Sequence, residues 1–271
     1  MITFPNAKIN LGLYVERRRP DNYHDISTVF FPIPLTDVLE IIPSTETRLF
    51  TYGNAVACPP EKNLVMKAYH LLKEEFDIPP VDIHLHKHIP DGAGLGGGSS
   101  DAAFTATMLN EMFHLGLSDK ELAQRVAHIG ADCPFFIFNR AMAARGIGDK
   151  FEEIEINLSG MTIIVVKPEV SIPTAEAYAG VTPKLPEIDV TEIIRHPIEE
   201  WKTLLVNDFE ASIFPKHPLL SDIKSSLYDA GAIYAAMSGS GSAIFAFFES
   251  DNMADRFMAN RLQKGIFKLK I

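Results

Sequence analysis

The chemistry that stands out in this sequence is a glycine-rich run suited to binding phosphate. The run consists of Pro90, Asp91, Gly92, Ala93, Gly94, Leu95, Gly96, Gly97, Gly98, Ser99 and Ser100. Because glycine has no Cβ, successive N–H groups can turn toward one anion, and a helix N-terminus behind them adds unpaired amides and partial positive charge. The run stands between a predicted strand and a predicted helix, so it predicts a phosphate site to which the two serine hydroxyls can contribute.

Other kinds of glycine loop fit less well. A Walker A loop ends in Gly-Lys-Ser or Gly-Lys-Thr, and no lysine follows Gly98. Residues 92–97 match G-x-G-x-x-G, but a dinucleotide fold then needs a strand ending in an acidic residue about twenty residues on, where this sequence predicts helix. The His-Arg-Asp and Asp-Phe-Gly motifs of protein kinases do not follow. A plain glycine-rich hairpin or linker remains the alternative. On the phosphate interpretation, a side chain on Gly97 would occupy space that phosphate needs.

Two charged residues outside the run are candidates for a reaction. Residues 7–15 alternate between apolar and polar side chains, which predicts a strand with Lys8 and Asn10 side by side on its polar face. Asp132 stands among apolar neighbours ahead of Pro134. Considered alone, Lys8 is typical of a solvated sheet face and Asp132 of a cap or turn. Beside a phosphate loop, Asp132 becomes the best candidate for a catalytic carboxylate.

The composition restricts the function and the compartment. With 271 residues and 46% hydrophobic residues, the chain can form one large domain or two. The net charge of −10 argues against nucleic acid or an anionic membrane as a partner, so a phosphate site must act through local amides and cations. Cys58 and Cys133 form no C-x-x-C pattern, and the chain starts without a signal-peptide pattern. We therefore expect a soluble cytoplasmic protein.

The predicted order of strands and helices that must position these residues changes near residue 155. Beyond it the pattern predicts strand, helices, two strands, a helix over 253–262 and a last strand, which is the βαββαβ order of a ferredoxin-like domain. We therefore predict an α+β fold of two domains, residues 1–155 and residues 156–271.

Five stretches in order resemble the GHMP kinases, named for galacto-, homoserine, mevalonate and phosphomevalonate kinases. They are Pro5–Leu11, Tyr23-His24, the glycine run, Gly130–Phe136 and Met237–Ser242. The resemblance spans nearly the whole chain and implies an N-terminal ribosomal-S5-domain-2-like α/β domain and a C-terminal ferredoxin-like α+β domain. It also implies ATP and Mg²⁺, and it narrows to a kinase whose small-molecule alcohol carries a cytidine diphosphate.

The resemblance also implies roles for individual residues. Asp132 would orient and deprotonate the alcohol, and Lys8 would steady the carboxylate and the developing charge. The glycine run from Pro90 to Ser100 would hold the ATP phosphates, with Asn63 near the adenine. The residues that would bind the alcohol substrate and its cytosine are Asn10, Tyr23, His24, Tyr178, Ser238 and Gly239. Asn22 replaces the glycine that is usual in the family, and because asparagine tolerates a left-handed backbone, we expect this turn to survive.

Two alternatives remain at this point. Another GHMP kinase, of homoserine or mevalonate type, would share most motifs, although Tyr23, His24 and Tyr178 favour a substrate with a flat ring. A nucleotide-binding relative without catalysis would share the fold, although the presence of both Lys8 and Asp132 argues against it. The sequence does not identify the metal ligands, and it is compatible with a monomer or a homodimer.

Overall fold

The computed structural model describes residues 1–56, 58–259 and 265–271. Within these ranges the strands are β1 (Ile2–Thr3), β2 (Asn6–Arg18), β3 (His24–Thr36), β4 (Val38–Pro43), β5 (Arg48–Gly53), β6 (Val81–Lys87), β7 (Met142–Arg145), β8 (Lys150–Glu153), β9 (Thr162–Val166), β10 (Tyr234–Met237), β11 (Ile244–Phe248) and β12 (Ile266–Lys270). The α-helices are α1 (Leu64–Glu75), α2 (Gly97–Met112), α3 (Asp119–Val126), α4 (Cys133–Phe138), α5 (Thr174–Ala179), α6 (Val190–Ile193), α7 (Ile198–Leu204), α8 (Asp208–Ile213), α9 (Pro218–Asp229) and α10 (Asp251–Met258). Nowhere in the described ranges is a helix long and apolar enough to cross a membrane.

The described chain forms two compact units that alternate along the sequence. Unit 1 consists of Met1–Lys8, Leu35–Asp91 and Gly96–Arg140, and unit 2 of Ile9–Pro34, Gly92–Leu95 and Ala141–Ile271. The division between units in the middle of the chain lies at residues 140 and 141, not at the predicted domain boundary near 155. The domain ranges 1–155 and 156–271 remain a prediction.

Unit 1 packs helices against one face of a four-stranded sheet in the order β1-β4-β6-β5. In β6 the alternation places Val81, Ile83 and Leu85 in the core, against apolar side chains of α1 and α2. Ala102 and Ala106 belong to this core, and their small side chains let α2 pack closely. The first turn of α2, which follows the glycine run, is therefore held on a rigid layer.

Unit 2 contains the ferredoxin-like sheet that the sequence predicts. Its strands β9 to β12 pair antiparallel in the order β10-β11-β9-β12, and β11 and β12 both pair with β9. That order is the split βαβ arrangement of the ferredoxin-like fold. The last predicted helix is present as α10, and residues 260–262 of that prediction lie outside the described residues.

Candidate active site

Lys8 and Asp132, which come from separate motifs, form an ion pair inside unit 1. The Nζ atom of Lys8 lies 3.7 Å from Oδ2 of Asp132. Lys8 is 3% exposed, so the alternative of a lysine on a solvated sheet face is wrong. Burial lowers the pKa of Lys8 below its usual value, and the carboxylate of Asp132 partly opposes this shift. A cation so withdrawn from water interacts strongly with a nearby anion.

The carboxylate of Asp132 is accessible, unlike the lysine. Asp132 is the N-cap residue of α4, whose first turn contains Pro134, and proline is favoured there because its missing N–H would have no helical partner. The Asp132 side chain is 33% exposed. It can therefore contact both the buried cation and a group arriving from solvent.

The start of α2 lies next to Lys8. Gly96 is the N-cap residue of α2 and has a left-handed backbone with φ +72°. A Cβ on Gly96 would lie 2.8 Å from Cζ of Phe136 and 3.2 Å from Cε of Lys8, so a side chain would not fit. The glycine thus brings the unpaired amides of the helix close to the buried cation. Both groups favour an anion at this position.

The two serines of the run have different surroundings. Ser100 is fully buried, and its Oγ atom has no hydrogen-bond partner among the described residues. Because this hydroxyl is closed off from solvent, it does not face an arriving ligand in this conformation. Ser99 hydrogen-bonds the thiol of Cys133, whose pKa burial raises to about 12. Cys133 is therefore an unreactive thiol that helps to hold the turn.

Gly97 and Gly98 serve different purposes. A Cβ on Gly97 would lie 2.9 Å from Cγ2 of Ile89 and 3.3 Å from Nζ of Lys87. The expectation that Gly97 keeps space for phosphate is therefore wrong, because what a side chain would meet there is the packed interior. A Cβ on Gly98 would meet only Cδ1 of Leu64, at 3.6 Å. Gly98 is the position where a side chain fits the fold.

A cavity of about 150 Å³ adjoins the start of α2 in unit 1. Asn63, Asp91 and Gly98 line it, as do Leu64 and Asp101. A cavity of this volume can hold a single aromatic ring. Asn63 is 8% exposed, and its Oδ1 atom accepts a hydrogen bond of 3.0 Å from the N–H of Val65 at the start of α1. Three residues predicted to bind nucleotide are thereby brought to one concave surface.

A buried ionic cluster supports this surface. Nζ of Lys87 contacts a carboxylate oxygen of Asp37 and lies 2.6 Å from Oδ2 of Asp101. Oδ1 of Asp37 accepts hydrogen bonds from the N–H groups of His88, at 2.5 Å, and Ile89, at 2.8 Å. Burial raises the pKa of Asp101 to about 8, although the charge of Lys87 opposes this. The cluster ties the chain before the glycine run to the first turn of α2.

The sequence analysis missed this cluster, although one signal pointed to it. Lys87 continues the alternation of Val81, Ile83 and Leu85, which places it on the core face of β6. A lysine on a core face requires a buried partner, and Asp101 stands one helical turn into α2. The partner Asp37 lies far away in sequence, so spacing alone does not identify it.

The middle of the glycine run, residues 92–95, belongs to unit 2. Ala93 and Leu95 are buried there, and the carbonyl of Ala93 accepts a hydrogen bond of 3.1 Å from the N–H of Ala243. Gly92 and Gly94 have φ of +59° and +74°. A Cβ on Gly94 would lie 2.0 Å from the carbonyl oxygen of Ser238, so only glycine fits. Pro90, which belongs to unit 1, is partly buried.

Asn10, Ser238 and Gly239 come together in unit 2. The hydroxyl of Ser238 accepts a hydrogen bond of 3.3 Å from the N–H of Asn10 and donates one of 2.8 Å to the carbonyl of Gly94. A Cβ on Gly239 would lie 3.3 Å from Oδ1 of Asn10. Ser238 is fully buried, so its hydroxyl holds the turn between β10 and β11.

The residues predicted to recognise cytosine are arranged differently from expectation. In unit 2 the ring stacked on Tyr178 is that of His24, with centroids 4.9 Å apart and planes inclined by 19°. Rings at this separation are in contact, so a base must displace His24 to stack on that face. Tyr23 is 62% exposed. Asn22 has φ +66°, which agrees with the expectation that asparagine replaces glycine in a left-handed turn.

Known protein families and proteins match this chain in sequence. The family model described as the GHMP kinases N terminal domain matches residues 63–140, and that described as GHMP kinases C terminal matches residues 190–264. The chain is 51% identical over 255 residues to the 4-diphosphocytidyl-2-C-methyl-D-erythritol kinase of Bacteroides fragilis, covering 93% of each chain. It is 53% identical over 249 residues to the protein of that name from Parabacteroides distasonis, covering 92% of each.

Solved structures give the same result. A crystal structure of 4-(cytidine 5'-diphospho)-2C-methyl-D-erythritol kinase superimposes with a TM-score of 0.86 at 32% identity, covering 99% of this chain and 98% of that one. The mevalonate kinase of Methanococcus jannaschii superimposes with a TM-score of 0.74 at 16% identity, covering 100% and 98%, and shares the fold. Sequence, family models and fold thus agree that the chain belongs to the GHMP kinases.

Proposed function

We propose that this chain transfers the γ-phosphoryl group of ATP to the 2-hydroxyl of 4-diphosphocytidyl-2-C-methyl-D-erythritol, a step of non-mevalonate isoprenoid synthesis. The observation that carries the proposal is the buried Lys8, which lies against both Asp132 and the first turn of α2. This arrangement combines a cation, an accessible carboxylate and unpaired amides within unit 1. The names of relatives about 50% identical over most of the chain specify the alcohol.

Phosphoryl transfer requires little covalent chemistry from a protein, so positioning and charge carry the reaction. In the proposed mechanism a carboxylate oxygen of Asp132 orients the attacking hydroxyl and accepts its proton. Lys8 stabilises this carboxylate and the negative charge that develops beside it. The amides at the start of α2 hold phosphate oxygens. The cavity beside Asn63 and Gly98 accepts part of the nucleotide base.

Mg²⁺ neutralises phosphate charge when it accompanies the nucleotide. The described ranges contain no group of three His, Cys, Asp or Glu residues arranged for a metal ion. Mg²⁺ in proteins keeps several waters and is usually held through substrate phosphates with one or two carboxylates. A site without a dedicated metal cluster in the described residues is compatible with an ion that arrives bound to ATP. Ser99, which is partly buried, would contact the phosphates or the waters of that ion.

The cytidine end of the alcohol is assigned to the aromatic residues of unit 2. Tyr178 offers a ring face, His24 a polar ring that must leave this face, and Tyr23 an exposed ring on the same turn. A stacked base gains about 1–3 kcal/mol from such contacts. We further propose that the reaction takes place in the cytoplasm, by a monomer or a homodimer, without a nucleic-acid or membrane partner. The net charge of −10 supports the last point.

The test is a coupled ADP-release assay with ATP and a panel of alcohols. The panel contains the cytidyl substrate, 2-C-methyl-D-erythritol without the cytidyl group, homoserine and mevalonate. We expect turnover with the cytidyl substrate, little with the truncated alcohol, and a rate at least about 10²-fold lower with an Asp132→Asn control. Turnover with only homoserine or mevalonate would assign another GHMP reaction. ATP binding without ADP release from any alcohol would indicate a relative that does not catalyse.

A further inference from the structure

The side chain of Asn207 hydrogen-bonds both the turn after β10 and the first turn of α8 in unit 2. It is 4% exposed, and its Nδ2 group donates hydrogen bonds to the carbonyls of Met237, at 2.7 Å, and Gly239, at 2.8 Å. Its Oδ1 atom accepts one from the N–H of Phe209 at 3.0 Å, which caps α8. The two carbonyls flank Ser238. Asn207 therefore fixes the peptide group before Ser238 and the peptide group after Gly239.

The next three residues, 208–210, contact β2, the turn after β10 and the ring of Tyr178. Oδ2 of Asp208 accepts a hydrogen bond of 2.7 Å from the N–H of Val15 on β2. Phe209 is buried and packs edge-on against Tyr178, with centroids 4.9 Å apart. Oε1 of Glu210 accepts a hydrogen bond of 2.7 Å from the N–H of Met237. The segment 207–210 thus connects β2, the turn after β10 and the ring of Tyr178 within unit 2.

We propose that Asn207 is a positioning residue for the transfer reaction, acting through the turn that carries Ser238 and Gly239. The inference rests on the proposed function, because it takes that turn as part of the alcohol site. Gly239 has φ +56°, a left-handed backbone that glycine adopts readily. Asn207 binds the carbonyls before and after Ser238 and so holds the turn in which the Ser238 hydroxyl contacts the N–H of Asn10 and the carbonyl of Gly94.

The side-chain chemistry makes the role specific to asparagine. An amide provides two N–H donors and a carbonyl acceptor, and Asn207 uses each kind. Aspartate keeps the acceptor and the helix cap, but it has no donor and turns a negative charge toward two carbonyls. Serine also caps a helix well, but it is too short to reach both carbonyls. Asn207→Asp and Asn207→Ser therefore remove the turn contacts and retain the cap.

The experiment measures kcat/KM for the cytidyl alcohol and, separately, the affinity for ATP by calorimetry. We expect both variants to lose about 10–100-fold in kcat/KM, since two buried hydrogen bonds are lost, while the dissociation constant for ATP changes by much less, because the start of α2 is held in unit 1. The matched control is Asp189→Ser, which changes the N-cap of α6 in the same unit, also removes the ion pair of Asp189 with Arg145, and should leave both values unchanged. Wild-type kcat/KM in folded Asn207→Ser would overturn the proposal, as would an equal loss in Asp189→Ser or an equal weakening of ATP binding.

A double-variant cycle with Ser238→Ala tests whether Asn207 affects catalysis through Ser238. If Asn207 acts through Ser238, its replacement should cost much less in the Ser238→Ala background. Fully multiplicative losses would contradict this route. Amide hydrogen exchange at residues 238–241 gives a readout independent of catalysis, and we expect faster exchange in Asn207→Ser with unchanged exchange in β9. Should wild type phosphorylate a different alcohol, the proposed function fails, while the same comparison on that alcohol still decides the role of Asn207.

Discussion

In the proposed mechanism, the burial of Lys8 serves the reaction at the expense of stability. Burial lowers its pKa in the folded chain, so at neutral pH the fold disfavours the charged form relative to the unfolded chain. The Lys8→Met variant should therefore raise the free energy of unfolding while it lowers kcat by about 10²-fold or more. Urea unfolding and steady-state kinetics measure the two effects. Lys120→Met, at an exposed position of α3, should change neither, and a destabilised Lys8→Met would contradict the argument.

Asp132 should show the opposite balance, because its side chain is partly exposed and its charge is hydrated. Asp132→Asn keeps the shape but removes the proposed base, so kcat should fall by about 10²–10⁴-fold with small changes in either KM. Since Lys8 has little to stabilise once that carboxylate is gone, the Lys8→Met and Asp132→Asn double variant should be scarcely worse than the worse single one. Multiplicative losses would show that Lys8 acts on the phosphoryl group independently.

At the scale of elements, two adjacent glycines in the first turn of α2 have different surroundings: Gly97 faces the packed interior and Gly98 faces the cavity. Gly97→Ala places a methyl group 2.9 Å from Ile89 and should destabilise the fold by about 1–3 kcal/mol. Gly98→Ala meets only ordinary contact and should stabilise the helix by up to about 1 kcal/mol. The same methyl group narrows the cavity, so the affinity for ATP should fall severalfold. Unchanged ATP affinity in Gly98→Ala would remove this cavity from the nucleotide site.

The cluster under α2 predicts a dependence of stability on pH. Asp101 titrates near 3.9 in an unfolded chain and at about 8 in the fold, chiefly because of burial. Between these values the fold holds a proton that the unfolded chain has released, so this group makes stability decline as pH rises through that window. Asp101→Asn removes the titration. The Tm of Asp101→Asn minus the Tm of wild type should increase steadily from about pH 5 to about pH 8. A difference in Tm that stays constant over this range would contradict the prediction.

The elements of the site were largely predictable from the sequence, whereas their partners were not. Local patterns predicted a strand at Lys8, a helix after Gly98 and the ferredoxin-like strand order. The prediction that the polar face of β2 looks away from the core was wrong, because Lys8 and Asn10 on that face are buried. Burial on both faces depends on what packs against a strand, and alternation within that strand does not report it. The roles of Asp37 and Asn207 depend on contacts between residues distant in sequence, which spacing does not encode.

At the scale of the whole molecule, the net charge of −10 sets the long-range field that a nucleotide meets. ATP is an anion, so the field repels it, and the site must attract it through contacts at short range. Added salt screens the long-range repulsion most strongly, because the Debye length falls from about 30 Å at 0.01 M to about 8 Å at 0.15 M. The association rate constant of ATP should therefore rise with salt concentration, contrary to the behaviour of a protein that steers its ligand electrostatically.

Stopped-flow measurements with Mg²⁺-free ATP test this expectation. We expect the association rate constant to rise by about twofold or more between about 0.01 M and about 0.15 M salt, because the repulsive field is screened while the docking geometry is unchanged. The dissociation rate constant should rise as well, since salt also weakens the proposed contacts of ATP with the amides of α2 and with Lys8. Adenosine, which carries no phosphate, is the matched control, and its association rate should not depend on salt. An association rate for ATP that falls with salt would show that the buried lysines and helix amides outweigh the charge of the whole molecule even at long range.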